Sequence, residues 1–147
     1  MGLLTWRRGE AFYLDADVVI FSVERIEPYH QLLSPLWAAA ARGEVRLVGS
    51  ELLLLETTIK PIRDANAMLL SAFRRLLTNT SFEVLPITRS VLERAAQLRA
   101  ASKLQTSDAI HAATSAIERC DVFLSNDKGY RRVGALPVRL LDRILAE

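Results

Sequence analysis

Five short apolar runs, separated by stretches long enough to be helices, constrain this chain more than any other feature. They occupy residues 11–16, 45–48, 82–86, Val122–Ser125 and 137–141. Apolar runs of four to eight residues read as strands, and the segments between them predict the order β, α, β, α, α, β, α, α, β, α, β. Parallel strands need such long crossovers, whereas an antiparallel pair can be joined by a two-residue turn. The chain is therefore expected to be an α/β protein. Its predicted architecture is a three-layer α/β/α sandwich around a mostly parallel sheet. In such sheets ligands bind outside the carboxyl ends of the strands, where the order of connection reverses. Polar residues that end the apolar runs thus carry most of the functional information.

Local signals place the helices. Residues 28–42 form one, with Gly43 as its terminator, and Ser50 is the expected N-cap of a helix carrying Leu52, Leu53, Leu55 and Glu56. Pro61 is expected to end or redirect that helix. Further helices are predicted at 64–77, 88–101 and 106–119, then a short turn or helix near residues 128–133 and a final helical turn. With 147 residues and no linker, repeat or low-complexity tract, residues 1–147 read as one domain. No apolar run approaches the roughly 20 residues of a membrane span, and residues 1–10 lack the order of a secretory signal, so a cytoplasmic protein is expected. The lone cysteine, Cys120, cannot make an internal disulfide and reads as a buried structural thiol. A net charge of +2 argues only weakly for nucleic acid, although all but three of the 19 basic residues are arginine, the side chain suited to phosphate.

Four acids stand where the predicted sheet would gather them. Asp15 ends the first apolar run and Asp127 follows the fourth. Asp108 lies in the first turn of its helix, after Thr106 or Ser107 as N-cap, where the helix dipole favours an anion. Glu56 sits among Leu52, Leu53, Leu54, Leu55 and Ile59, and burying it there without a partner would cost several kcal/mol. Converging carboxylates repel one another unless a cation intervenes. Oxygen donors without clustered His or Cys select Mg²⁺ or Mn²⁺. Such a centre orients and acidifies water for in-line attack on phosphorus. Each acid also has an ordinary alternative: an Asx turn for Asp15, a dipole partner for Asp108, a turn former for Asp127 and an arginine-paired core group for Glu56.

The stretches Tyr13-Leu14-Asp15-Ala16-Asp17-Val18-Val19-Ile20, Ser50-Glu51-Leu52-Leu53-Leu54-Leu55-Glu56, Thr106-Ser107-Asp108-Ala109-Ile110-His111-Ala112-Ala113-Thr114-Ser115-Ala116 and Val122-Phe123-Leu124-Ser125-Asn126-Asp127-Lys128, in this order, resemble the PIN-domain family. The likeness is to its VapC-type toxin ribonucleases and runs from Phe12 through nearly the whole chain. It implies a metal-dependent endoribonuclease in which Asp15, Glu56, Asp108 and Asp127 are the catalytic and metal-holding acids, with Mg²⁺ or Mn²⁺ as cofactor. It also implies an RNA substrate, an antitoxin protein docking near the acidic cleft, and a homodimer. The family usually has asparagine or serine where this chain has Asp17. Asp17, Ser125 and Lys128 are therefore expected to support ligands or substrate. Arg131 and Arg132, beside Lys128, could hold backbone phosphates, and His111 is expected to be a hydrogen-bonded helix residue rather than a proton shuttle. A catalytically silent PIN-like binding module and a structure-specific DNA nuclease are the rival readings.

Overall fold

Alternation along the first strand decides how the layers assemble. In the computed structural model, which describes Met1–Glu147, β1 spans Ala11–Leu14 and all four of its residues are buried. Successive side chains of a strand point to opposite faces. Phe12 and Leu14 accordingly join one apolar core, Ala11 and Tyr13 the other. The remaining elements are α1 (Ala16–Val23), α2 (Tyr29–Ala41), β2 (Arg46–Ser50), α3 (Leu52–Arg63), α4 (Ala67–Leu77), β3 (Phe82–Leu85), α5 (Arg89–Ala101), α6 (Thr106–Ile117), β4 (Val122–Ser125), a 3₁₀ turn (Lys128–Arg132), β5 (Val138–Leu140) and α7 (Leu141–Ala146).

The five strands lie in the order β3-β2-β1-β4-β5, and every pairing is parallel. Helices α1, α2, α4 and α7 cover one face through Val18, Val19, Leu33, Leu36, Phe73, Leu141 and Ile144. Helices α5 and α6, with Tyr130, cover the other through Val91, Ala95, Ala109, Ala112 and Ala113. A fully buried leucine or phenylalanine in either layer contributes roughly 1.5–3 kcal/mol relative to exposure. The expected three-layer α/β/α sandwich is thus present, with a sheet that is wholly parallel. From β1 the chain steps outward through β2 to β3, then returns to pair β4 with the other side of β1. The switch point is therefore the seam between the carboxyl ends of β1 and β4.

Several boundaries differ from the sequence expectation, each for a local reason. The first strand stops at Leu14 because Asp15 leaves it to cap α1, a helix distinct from α2. Ser50 is the last residue of β2, and its hydroxyl accepts the Leu52 N–H at 3.1 Å while Glu51 occupies the cap position without a side-chain bond. Pro61 does not end α3 but is buried in its last turn. Ala65 at φ +52° breaks the path after α3, so α4 starts at Ala67 under an Asn66 cap that accepts the Leu69 N–H. Gly43 follows α2 at φ +76°, a conformation that costs glycine nothing. No helix is long and apolar enough to cross a membrane.

Candidate active site

Asp15 sits at the switch point, and three elements fix it there. Its extended backbone ends β1, its Oδ1 accepts the Val18 N–H at 3.3 Å as the cap of α1, and its Oδ2 accepts the hydroxyl of Ser125 from the end of β4. The residue is 4% exposed. Burial raises its carboxyl to about 7, aided by the charge of Asp17 and opposed by the Ser125 hydrogen bond. Ser125 serves a second acid, because its oxygen accepts the Asp127 N–H at 3.0 Å. Asp127 is exposed and caps the 3₁₀ turn, its Oδ1 accepting the Gly129 N–H at 2.8 Å. The turn-forming role expected as its alternative is therefore real and leaves its other oxygen unused.

Asp108 occupies the first turn of α6, as the sequence suggests, but neither Thr106 nor Ser107 caps that helix. Gln105 takes the cap position without a side-chain bond, and the Thr106 hydroxyl instead accepts Arg99 Nη1 at 3.0 Å. Asp108 Oδ1 accepts the hydroxyl of buried Tyr130 at 3.1 Å. Desolvation lifts the Asp108 carboxyl above its ordinary value, and the charges of Asp127 and Glu56 push it the same way. Tyr130 is itself driven far above the usual phenol range, by burial and then by Asp15 and Asp108, so it remains a donor.

Glu56 departs from the expectation in an instructive way. Leu54, Leu55 and Ile59 are 51%, 60% and 48% exposed, so the helix face around it is not a core. Its carboxylate is partly open to solvent and has a partner nonetheless: Oε1 lies 2.6 Å from His111 Nε2. The other nitrogen of that ring lies 2.6 Å from the hydroxyl of Tyr13. His111 is 1% exposed, which removes it from contact with substrate and agrees with a hydrogen-bonded helix residue. Asp17 stands at the exposed start of α1. Desolvation raises its carboxyl, followed by the charges of Asp127, Glu56 and Asp108.

Asp15, Asp17, Glu56, Asp108 and Asp127 therefore share one field, in which His111 is the sole base among the main influences on the shifted acids. No three His, Cys, Asp or Glu side chains stand close enough to enclose an ion unaided. The donor set is carboxylate and hydroxyl oxygen, and its uncompensated charge is what a hard cation relieves. Such residues fit Mg²⁺ or Mn²⁺, which keeps several waters and takes only a few carboxylates from protein. Lys128 is exposed at the start of the 3₁₀ turn that Asp127 caps, and it lines a depression with Asp142, Arg143, Ala146 and Glu147. Arg131 and Arg132 are exposed on that turn. Trp37 packs edge-on against Phe82 and donates to Ser22, and Cys120 is buried, as expected, with its thiol pushed up to about 11.

Sequence reasoning assigned no role to Tyr13 or Tyr130. The available signal was a phenol in an otherwise apolar strand two residues before Asp15, and another three residues after Asp127.

Comparison with known proteins agrees with this fold. Among curated proteins none matches the chain significantly in sequence. Solved structures with the same fold include VapBC2 from Rickettsia felis bound to a DNA fragment from its promoter, at 13% identity and TM-score 0.71, covering 88% of this chain and 98% of that one. A toxin–antitoxin complex from Klebsiella pneumoniae matches at 20% identity and TM-score 0.65, covering 86% and 94%. Mycobacterium tuberculosis VapC20, a sarcin–ricin-loop-cleaving toxin, matches at 18% identity and TM-score 0.70, covering 87% and 98%. The family model described as PIN domain matches residues 12–136. With that span covering most of the sequence, the chain belongs to the PIN domain family.

Proposed function

We propose that this protein is a Mg²⁺- or Mn²⁺-dependent endoribonuclease and the toxin of a toxin–antitoxin pair. The observation that carries the reading is Asp15 buried at the switch point of a parallel sheet, with Asp17 and Asp108 raised by burial and then by the charges of Asp127 and Glu56. Asp15, Glu56, Asp108 and Asp127 would hold the cation, with Asp17 at the rim. A bound divalent cation supplies charge neutralisation and acidifies water for attack on a phosphodiester. The chain's own residues do the orienting. Ser125 holds Asp15 and the Asp127 backbone, Tyr130 holds Asp108, and His111 holds Glu56. Burial raises the Asp15 carboxyl to about 7, and a divalent cation held there would favour its ionised form.

RNA as substrate and an antitoxin as partner are supported by fold likeness to toxin–antitoxin proteins, one of them named for cleaving the sarcin–ricin loop, whereas a homodimer rests on the family resemblance alone. The test is to purify the protein, establish whether a small partner accompanies it, and assay defined RNA and single-stranded DNA with Mg²⁺, Mn²⁺ or EDTA. Metal-dependent RNA cleavage supports the proposal, and cleavage of DNA alone overturns the substrate.

A further inference from the structure

His111 touches the acidic cluster only through Glu56, yet both of its ring nitrogens are engaged. Tyr13 Oη lies 2.6 Å from Nδ1 and Glu56 Oε1 lies 2.6 Å from Nε2. An ionised Glu56 can only accept, so Nε2 carries a proton, and in the neutral ring Nδ1 is then bare and accepts the Tyr13 O–H. Each link of the chain runs in one direction, from phenol to imidazole to carboxylate.

The origin of the chain is rigid. Tyr13 is wholly buried in β1, stacked on Phe123 with ring centroids 5.1 Å apart and planes 10° apart. Its destination is not rigid by itself, since Leu55 and Ile59 beside Glu56 are about half or more open to solvent and offer little packing to hold a three-torsion side chain. We propose that Tyr13 and His111 are positioning residues that extend the order of the sheet to Glu56. They hold one carboxylate oxygen and leave the other for a divalent cation. The role toward the cation rests on the metal-centre reading above, whereas the direction of the chain does not. Partners that orient a ligand in this way commonly change metal affinity by 10–100-fold.

The experiment uses the full chain. In ¹⁵N-labelled metal-free protein, NMR correlation of ring nitrogens with carbon-bound protons is expected to show His111 protonated on Nε2 and bare on Nδ1. Tyr13→Phe keeps the ring that stacks on Phe123 and removes only the hydroxyl. It is expected to weaken the Nε2 preference, which Glu56 alone then maintains, and to weaken Mn²⁺ binding about tenfold by calorimetry. His111→Leu is expected to weaken binding by ~10–100-fold, and His111→Gln, which keeps an N–H near the Nε2 position, to recover most of the loss. If His111→Leu fails to fold, Tyr13→Phe still decides the matter. A ring protonated on Nδ1 in the unchanged protein, or undiminished Mn²⁺ affinity in Tyr13→Phe, overturns the inference. An Nε2 tautomer in a protein that binds no Mn²⁺ overturns the metal centre while leaving the chain's direction standing.

Discussion

Asp15 and Ser125, 110 residues apart in sequence, meet in a 2.5 Å hydrogen bond across the seam where β1 and β4 pair. The same serine oxygen accepts the Asp127 N–H, so one small side chain ties two acids to the sheet. Ser125→Ala removes one of the two donors to a buried carboxyl and frees the Asp127 backbone. Mn²⁺ affinity and cleavage are expected to fall ~10–100-fold, and the metal-free fold to lose about 1–3 kcal/mol in urea denaturation. Affinity and stability both unchanged would show that the hydroxyl orients nothing.

The pH dependence of stability follows from Asp15. Its carboxyl rises to about 7 from an ordinary value of 3.8, chiefly through burial. Between about pH 4 and pH 7 the folded chain therefore keeps a proton that the unfolded chain has released. Stability of the metal-free protein falls as pH rises through that window, by up to ~4 kcal/mol from this group alone. Asp15→Asn keeps an oxygen to cap α1 and removes the charge. The metal-free variant is expected to melt higher than the unchanged protein at about pH 7.5 and to lose that advantage near pH 4. A lower melting temperature for the variant at neutral pH would contradict this account of Asp15.

Gly49 supports the site from below, at the carboxyl end of β2. A Cβ there would stand 2.7 Å from Phe82 Cζ and 2.8 Å from Leu53 Cδ1, both core atoms. Gly49→Ala is expected to destabilise the protein by about 1–3 kcal/mol through overpacking, measured by urea denaturation. A neutral result would mean that β2 and α3 separate more easily than their packing suggests.

The sheet and the three layers were legible because period and connection length are properties of the sequence itself. The strand Val122–Ser125 is a case in which the apolar run and the element coincide. Asp15 and Asp108 were legible for the same reason, since each sits where one period gives way to another. What stayed hidden depended on contacts between distant segments. Glu56 was expected to be submerged among leucines, because sequence cannot tell which leucines of α3 face the sheet; Leu53 does, whereas Leu54 and Leu55 do not. Its pairing with His111, 55 residues on, follows from the crossing of α3 and α6 and leaves no local trace. Lys128 adjoins Asp127, and its place in the depression beside Asp142 and Arg143 depends on a 3₁₀ turn that no periodic pattern announces.

The central claim is that these acids form a cation-dependent centre for phosphodiester cleavage. Its most direct test is cleavage of a defined single-stranded RNA by the unchanged protein, Asp15→Asn and Asp108→Asn, each with Mn²⁺ and with EDTA. Loss of residues that merely orient ligands typically costs 10–100-fold, so losing either carboxylate is expected to cost more than ~100-fold. The predicted result is Mn²⁺-dependent cleavage by the unchanged protein, none in EDTA, and loss of activity in both variants with near-UV circular dichroism preserved. Cleavage that persists in EDTA, or full activity in either variant, would contradict the claim.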